Sequence, residues 1–170
     1  MNTCTCQLSF FNFREDIWVT SKLWNCFHDP KKVRGALEHT LKQLNLSYLD
    51  LYLIHWPIGY PTSDQLFPKD AAGKPMHTNF DLIDTWKAME ELVDAGLAKS
   101  IGVSNFNPEQ VDYIVANARI QPVANQFEVH PYCLNKDWIA HCRSKNIAVT
   151  AYSPLGCPGQ IGRASCREEC

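Results

Sequence analysis

Apolar runs and amphipathic stretches alternate along most of the chain. The clearest apolar run, at residues 48–56, carries leucine or isoleucine at four positions and ends at Pro57. A run of this kind is typical of a strand buried on both faces of a parallel sheet. Four further runs predict strands at residues 17–24, 100–105, 123–130 and 147–153.

The segments between these runs carry apolar residues at helical spacing. Asp29-Pro30 and Asn107-Pro108 each supply a helix N-cap followed by a proline suited to the first turn, and Gly96 suits the end of a helix. The apolar faces of the four predicted helices are Val33, Leu37, Leu41 and Leu44; Leu82, Trp86, Met89 and Val93; Val111, Ile114 and Val115; and Leu134, Trp138, Ile139 and Cys142.

This strand–helix alternation predicts an α/β fold with a parallel sheet and right-handed crossovers. Two architectures fit five such strands: an open doubly wound sheet and part of an eight-stranded barrel. No G-x-G-x-x-G motif follows a strand, so the common dinucleotide signature is absent. Residues 57–79 form a long segment rich in proline and glycine, which predicts a lid or a wall of a binding site.

Every predicted strand ends in polar or aromatic residues. They are Lys22 and Trp24, His55 and Trp56, Ser104 and Asn105, Gln126 with His130 beyond it, and Tyr152 and Ser153. Each has a structural explanation of its own, such as a helix cap or a core aromatic ring. In a parallel barrel, however, these ends converge on one mouth, where barrel enzymes carry their chemistry.

Composition narrows the class of protein. The 170 residues carry a net charge of -2 with no cluster of basic residues, which argues against nucleic acid as a partner. No apolar run approaches the roughly 20 residues of a membrane span, and the first residues lack the pattern of a secretion signal. The eight cysteines include no C-x-x-C pair at metal-binding spacing. We therefore expect reduced thiols in the cytoplasm, no metal site and no membrane association.

Five segments together resemble the aldo-keto reductase family. They are Val19-Thr-Ser-Lys-Leu-Trp24, Asp50-Leu-Tyr-Leu-Ile-His-Trp-Pro57, Ile101-Gly-Val-Ser-Asn-Phe106, Asn125-Gln-Phe-Glu-Val-His-Pro131 and Ala151-Tyr-Ser-Pro-Leu-Gly156. The family fold is a (β/α)8 TIM barrel, and the segments match its third to seventh strands. The resemblance therefore implies a partial barrel domain over residues 14–159, with five parallel strands alternating with helices.

The resemblance also implies a reaction, namely hydride transfer from NADPH to aldehydes or ketones. Lys22 matches the lysine that lowers the pKa of the family's catalytic tyrosine. His55 matches the histidine that orients the carbonyl and shares in proton transfer. Trp24 and Trp56 match walls of the substrate pocket beside His55.

The remaining matched positions imply a binding site for the nicotinamide cofactor. Ser104, Asn105 and Gln126 match the polar residues that hold the carboxamide group of the nicotinamide. Tyr152 matches the ring that stacks on the nicotinamide. Ser153 and Leu155 match the start of a loop that contacts the pyrophosphate.

Some family features have no counterpart in this sequence. The family's catalytic tyrosine and the aspartate paired with its lysine precede the third strand, whereas the first tyrosine here is Tyr48. Residues 1–13 are predicted to be a non-matching extension, and residues 160–170 a tail foreign to the barrel. We expect an incomplete barrel with little activity, a monomer in its full-length form. The alternatives are a non-catalytic relative that binds cofactor or a partner protein, and an unrelated open-sheet domain.

Overall fold

The computed structural model describes residues 13–63 and 65–156. Short 3-10 turns occur at Arg14–Asp16 and Asn25–Phe27. The strands are β1 (Thr20–Leu23), β2 (Leu49–Ile54), β3 (Ala98–Ser104), β4 (Ala124–Glu128) and β5 (Ala148–Tyr152). The helices are α1 (Pro30–Leu44), α2 (Leu82–Asp94), α3 (Pro108–Asn117) and α4 (Lys136–Ser144). All five predicted strands and four predicted helices are present. Most of the predicted extension and the whole of the predicted tail lie outside the described residues.

The five strands form one parallel sheet in the order β1-β2-β3-β4-β5. Each strand pairs with the next one in the sequence, so the strand order never reverses across the sheet. Successive right-handed crossovers of this kind place all the helices on the same face. A doubly wound sheet requires a reversal of strand order, which gives it helices on both faces. The doubly wound alternative is therefore wrong, and the sheet has the order of a barrel wall.

The register of the strands separates two faces. Leu53 pairs with Lys22 on one side and with Gly102 on the other, so these three residues share a face. This inner face carries a small buried cluster of Leu51, Leu53 and Ala124. The opposite face packs against the helices and forms the main core, which includes Trp86, Met89, Ile101, Phe106 and Phe127.

Helix ends follow the capping signals in the sequence. The Asp29 carboxylate accepts a hydrogen bond from the Lys31 amide at 3.0 Å at the start of α1. Asn107 and Gln110 form a reciprocal capping box at the start of α3. Gly96 follows α2 with a φ of 70°, which is the left-handed conformation that glycine adopts without strain.

The structure corrects three details of the predicted elements. β1 is shorter than residues 17–24, because its pairing with β2 begins at Thr20 and leaves Trp18 exposed. Leu134 was expected to face inward, but it precedes α4 and is 48% exposed. Leu44 was expected on the apolar face of α1, but it is 48% exposed at the end of that helix, whereas the predicted Val93 of α2 packs partly buried against the main core.

A charged cluster closes the amino-terminal end of the sheet. The buried Asp50 carboxylate accepts hydrogen bonds from Arg14 at 2.8 Å and from the Val19 amide at 2.9 Å, and Lys99 lies 3.3 Å away. Burial alone would raise the pKa of Asp50, but these partners outweigh it and hold the pKa below its usual value. The Arg14 and Lys99 cations also lie 4.2 Å from the centre of the Tyr48 ring. The cluster ties the chain before β1 to β2 and β3.

β1 is an outer strand of the described sheet, and a cavity of about 450 Å³ opens beside it. Its walls include Lys22 and Trp24 from the β1 segment and Gly35, Ala36 and Tyr52 from the helix side of the sheet. The cavity therefore lies at the unpaired edge of β1 and not in the mouth formed by the strand ends. No helix in the described part of the chain is both long enough and apolar enough to cross a membrane.

Gly102 allows β3 and β4 to approach closely. A Cβ atom at this position would lie 2.5 Å from the Ala124 carbonyl oxygen and 2.8 Å from a methyl group of Leu53. The backbone oxygen cannot move aside without disturbing the sheet. We predict that Gly102→Ala lowers the free energy of unfolding by about 1–3 kcal/mol, measured by urea denaturation.

Gly35 provides the matched control. It lies in α1, and a Cβ atom there would meet nothing within 4 Å. Gly35→Ala is expected to raise the free energy of unfolding by about 0.5–1 kcal/mol, because alanine is the better helix former. Equal effects of the two substitutions would contradict the packing argument.

Candidate active site at the carboxyl ends of the strands

Parallel pairing brings the predicted site residues to one edge of the sheet. Ser104 pairs with Gln126, so both side chains stand on the inner face at the ends of β3 and β4. His55 follows β2 directly, and its amide donates to the Leu23 carbonyl at 3.1 Å. Lys22 stands one residue before the end of β1 on the same inner face. The predicted convergence of strand ends is therefore observed.

Two indole rings lie near the His55 imidazole. The Trp24 ring meets it edge to face, with ring centroids 5.0 Å apart and an interplanar angle of 78°. The Trp56 ring lies nearly parallel to it, at 15° and 6.5 Å. All three residues are half-buried. Both tryptophans thus flank the histidine, as expected for the walls of a pocket.

Asn105 joins the ends of β2, β3 and β4. Its backbone adopts the left-handed conformation, with a φ of 62°, which asparagine tolerates better than most residues. Its amide donates to the Gln126 carbonyl at 2.9 Å, and its side-chain nitrogen donates to the His55 carbonyl at 2.9 Å. Asn105 therefore fixes the backbone at His55 from the neighbouring strand.

The polar groups at the ends of β3 and β4 are only partly used within the protein. The Ser104 hydroxyl donates to the Gln126 carbonyl at 2.6 Å and lies 3.2 Å from the Asn105 side-chain nitrogen. No hydrogen bond to the Gln126 side-chain amide or to the Asn105 side-chain oxygen is present in the described residues. One donor and two acceptors thus remain available at this edge.

Lys22 and His55 are electrostatically linked. Partial burial lowers the pKa of the Lys22 ammonium. Burial also lowers the pKa of the His55 imidazole, and the positive charge of Lys22 lowers it further. No acidic side chain pairs with Lys22 in residues 13–63 and 65–156. Both effects favour the neutral imidazole, a form in which one ring nitrogen donates and the other accepts.

The residues predicted at the end of β5 are less enclosed. Tyr152 is half-buried and pairs in register with Glu128 of β4. Ser153 has a φ of 49°, so the chain turns sharply away from the strand. Leu155 is 91% exposed. The predicted contacts of these three residues with a cofactor stay predictions.

His130 does not join this group. It forms a bridge with Cys133 beyond β4, and its ring lies 3.0 Å from the Glu128 carboxylate. Its other ring nitrogen accepts from the Tyr132 amide at 3.1 Å. With both ring nitrogens used, this buried histidine is explained by local structure.

The long loop adds residues that the sequence analysis did not single out. The Phe67 ring meets Trp24 at 5.3 Å, and the Tyr60 ring lies 6.3 Å from Trp24. The Trp24 indole nitrogen donates to the Leu66 carbonyl at 2.9 Å. The loop was predicted to be a lid or wall, and aromatic residues within a proline-rich segment were the only available sign of where it would contact the site.

These groups can bind a ligand that presents a hydrogen-bond donor to the Asn105 oxygen and an acceptor to the Gln126 amide. A primary carboxamide is one such group. A metal ion has no comparable site, because no group of three or more metal-ligating side chains occurs in the described residues.

Comparison with known proteins identifies the family of this chain. The model of the Aldo/keto reductase family matches residues 8–162. The chain belongs to the aldo/keto reductase family. Aldo-keto reductase family 1 member A1 of chicken is 51% identical over 148 residues, covering 87% of this chain and 45% of the chicken protein. The zebrafish member A1-A is 52% identical over 145 residues, covering 85% and 45%. The chain thus spans somewhat less than half the length of these curated reductases.

Solved reductase structures establish the architecture. The aldose reductase of Giardia lamblia superposes with a TM-score of 0.82 at 46% identity, covering 85% of this chain and 48% of that one. The aldose reductase of Schistosoma japonicum gives 0.83 at 50% identity, covering 84% and 48%. The predicted partial TIM barrel is confirmed.

The link between Lys22 and His55 can be tested by titration. We predict that Lys22→Met raises the pKa of His55, because it removes a positive charge that disfavours protonation of the imidazole. Burial still acts, so the pKa should remain below the ordinary value. The measurement is the proton NMR shift of the His55 ring against pH. Lys42→Met, on the exposed end of α1, is the control and should leave the His55 titration unchanged.

Proposed function

We propose that this chain is the part of an NADPH-dependent aldo-keto reductase that binds the nicotinamide and the carbonyl group of an aldehyde or ketone. The observation that carries the proposal is that the Gln126 side-chain amide and the Asn105 side-chain oxygen, beside His55, form no hydrogen bond within the described residues. Family membership and the curated relatives named for aldo-keto reductases support oxidoreductase chemistry. The chain spans less than half of those relatives, so the activity is proposed for the whole protein.

His55 is the proposed carbonyl-orienting group. A neutral imidazole can donate one N–H to the carbonyl oxygen of a substrate, which fixes the carbonyl and stabilises charge that develops on its oxygen. The low pKa that burial and Lys22 impose favours this neutral form. Trp24 and Trp56 would pack against the apolar part of the substrate and exclude water from the reacting group.

The cofactor would be held by the β3 and β4 ends. The Asn105 side-chain oxygen would accept a hydrogen bond from the NH2 of the carboxamide. The Gln126 side-chain amide would donate one to the carboxamide oxygen. Ser104 supports both strand ends, because its hydroxyl donates to the Gln126 backbone carbonyl. When bound, the cofactor supplies the hydride for reduction of the carbonyl carbon. Tyr152 would stack on the nicotinamide ring, and Ser153 and Leu155 would lie towards the pyrophosphate.

Lys22 has a supporting role in this proposal. A cation near a tyrosine hydroxyl lowers the pKa of that hydroxyl and so assists proton donation. Residues 1–47 contain no tyrosine, so we assign no proton donor in that stretch. For the whole protein we further propose a cytoplasmic monomer. The buried thiols of Cys26 and Cys142 suit a reducing compartment.

Cofactor binding gives the first test. We predict that residues 1–170 bind NADPH with quenching of tryptophan fluorescence, because Trp24 and Trp56 lie beside the proposed site. Gln126→Leu should weaken binding about tenfold, the effect of losing one or two hydrogen bonds. Gln43→Leu on the exposed face of α1 should bind as the unchanged protein does. Equal affinities of the two variants would contradict the assignment of Gln126.

A non-catalytic cofactor-binding protein is the second candidate function. The absence of a tyrosine from residues 1–47 favours it for this stretch of chain. We predict that purified residues 1–170 reduce an aromatic aldehyde at a rate barely above the uncatalysed background, measured by NADPH absorbance. Robust turnover that is lost in His55→Gln would contradict the prediction and show that another group supplies the proton.

A further inference from the structure

The loop between β2 and α2 is folded upon itself. Gly59 and Thr78 form an antiparallel bridge, and the Thr78 amide donates to the Gly59 carbonyl at 2.9 Å. A second bridge joins Lys69 and Pro75 near the loop tip. A Cβ atom at Gly59 would lie 2.9 Å from the Thr78 carbonyl oxygen, so the two arms are tightly packed. The loop can therefore dock as a unit.

Its docking contacts converge on the three residues after β1. The Trp24 indole N–H donates to the Leu66 carbonyl at 2.9 Å, and the Cys26 thiol donates to the Gln65 carbonyl at 3.4 Å. The Tyr60 amide donates to the Asn25 carbonyl at 2.9 Å. Trp24 contributes the shorter of the two side-chain bonds, and its ring also meets the Phe67 ring.

Trp24 contacts the loop and His55 at the same time. Its ring meets the imidazole at 5.0 Å, while its N–H is committed to the loop. An indole that is pinned by a hydrogen bond has few alternative rotamers, so its contact with His55 is also defined. If the N–H bond were absent, the ring could swing and expose the imidazole to water.

We propose that Trp24 is a positioning residue that couples docking of this loop to the orientation and hydration of His55. The inference rests on the carbonyl-orienting role proposed for His55. It assigns to the Trp24 N–H a function beyond that of a pocket wall, because this bond fixes the indole ring that meets the histidine.

The surroundings of the imidazole make the coupling measurable. Burial and Lys22 both lower the pKa of His55. Lys22 on β1 is the charged group linked to it. Asn105 at the end of β3 donates to its backbone carbonyl, and the titratable His77 of the loop has its ring 5.6 Å from the Tyr60 ring. Release of the loop would hydrate the imidazole without removing Lys22, and the pKa of His55 would rise towards its ordinary value.

Trp24→Phe tests the proposal, because it keeps an aromatic ring against His55 and removes only the N–H donor and part of the indole. Trp18→Phe is the matched control: the exposed Trp18 indole also donates one hydrogen bond, at 3.1 Å to Thr20, on the amino-terminal side of β1. Hydrogen exchange at the Tyr60 amide reports loop docking, and exchange at the His55 amide, bonded to Leu23, reports the sheet.

In Trp24→Phe we expect exchange at the Tyr60 amide to accelerate about five- to tenfold, the loss of roughly one hydrogen bond. Exchange at the His55 amide should be unchanged, and the His55 pKa should rise. Cys26→Ala should accelerate Tyr60 exchange less, and Cys26→Ser, which retains a donor, least of all.

Two results would overturn the proposal. If Trp24→Phe matches Trp18→Phe in both readouts, the N–H bond does not dock the loop. If Tyr60 exchange accelerates while the His55 titration stays fixed, the loop docks through Trp24 but does not control the histidine. Neither measurement uses cofactor or substrate, so failure here is distinct from failure of NADPH binding.

Discussion

Parallel pairing in sequential order is the constraint on which the other features of this structure depend. Because each strand pairs with the next, every crossover returns over the same face, and one face is left for side chains of the barrel interior. The same pairing aligns all the carboxyl ends. Lys22, His55, Ser104 and Gln126 come together for this reason, although more than one hundred positions separate the first from the last. The strands pack so closely at Gly102 that the inner face there has no room for a methyl group.

The alternation of elements, the helix caps and the strand-end residues were predictable, because each depends on local sequence. Asp29-Pro30 and Asn107-Pro108 cap helices through side chains a few positions from the amides they bind. The choice between a barrel wall and a doubly wound sheet was not predictable from periodicity. It depends on which strands become neighbours, and the resemblance of several segments to one family was needed to favour the barrel.

Contacts made across long sequence distances were beyond the sequence analysis. The donation from Trp24 to Leu66 spans 42 positions, and the bond from Arg14 to Asp50 spans 36. Nothing at Leu66 marks it as a partner, because its backbone carbonyl makes the contact and every residue carries one. The short length of β1 has a similar origin, since strand length depends on where β2 begins to pair.

The charged groups at the two ends of the sheet differ in whether they are paired within the described residues. At the amino-terminal end the buried Asp50 is satisfied by Arg14, Lys99 and a backbone amide, so its charge is stabilised and unavailable to a ligand. At the carboxyl end, Lys22 has no acidic partner in the described residues, and the Gln126 amide has no hydrogen bond there. Both residues are only partly buried, so water can hydrate these groups in the free protein and a ligand can replace that water. The sheet therefore gains stability at one end and keeps binding capacity at the other, which is the division expected where barrel proteins separate folding from chemistry.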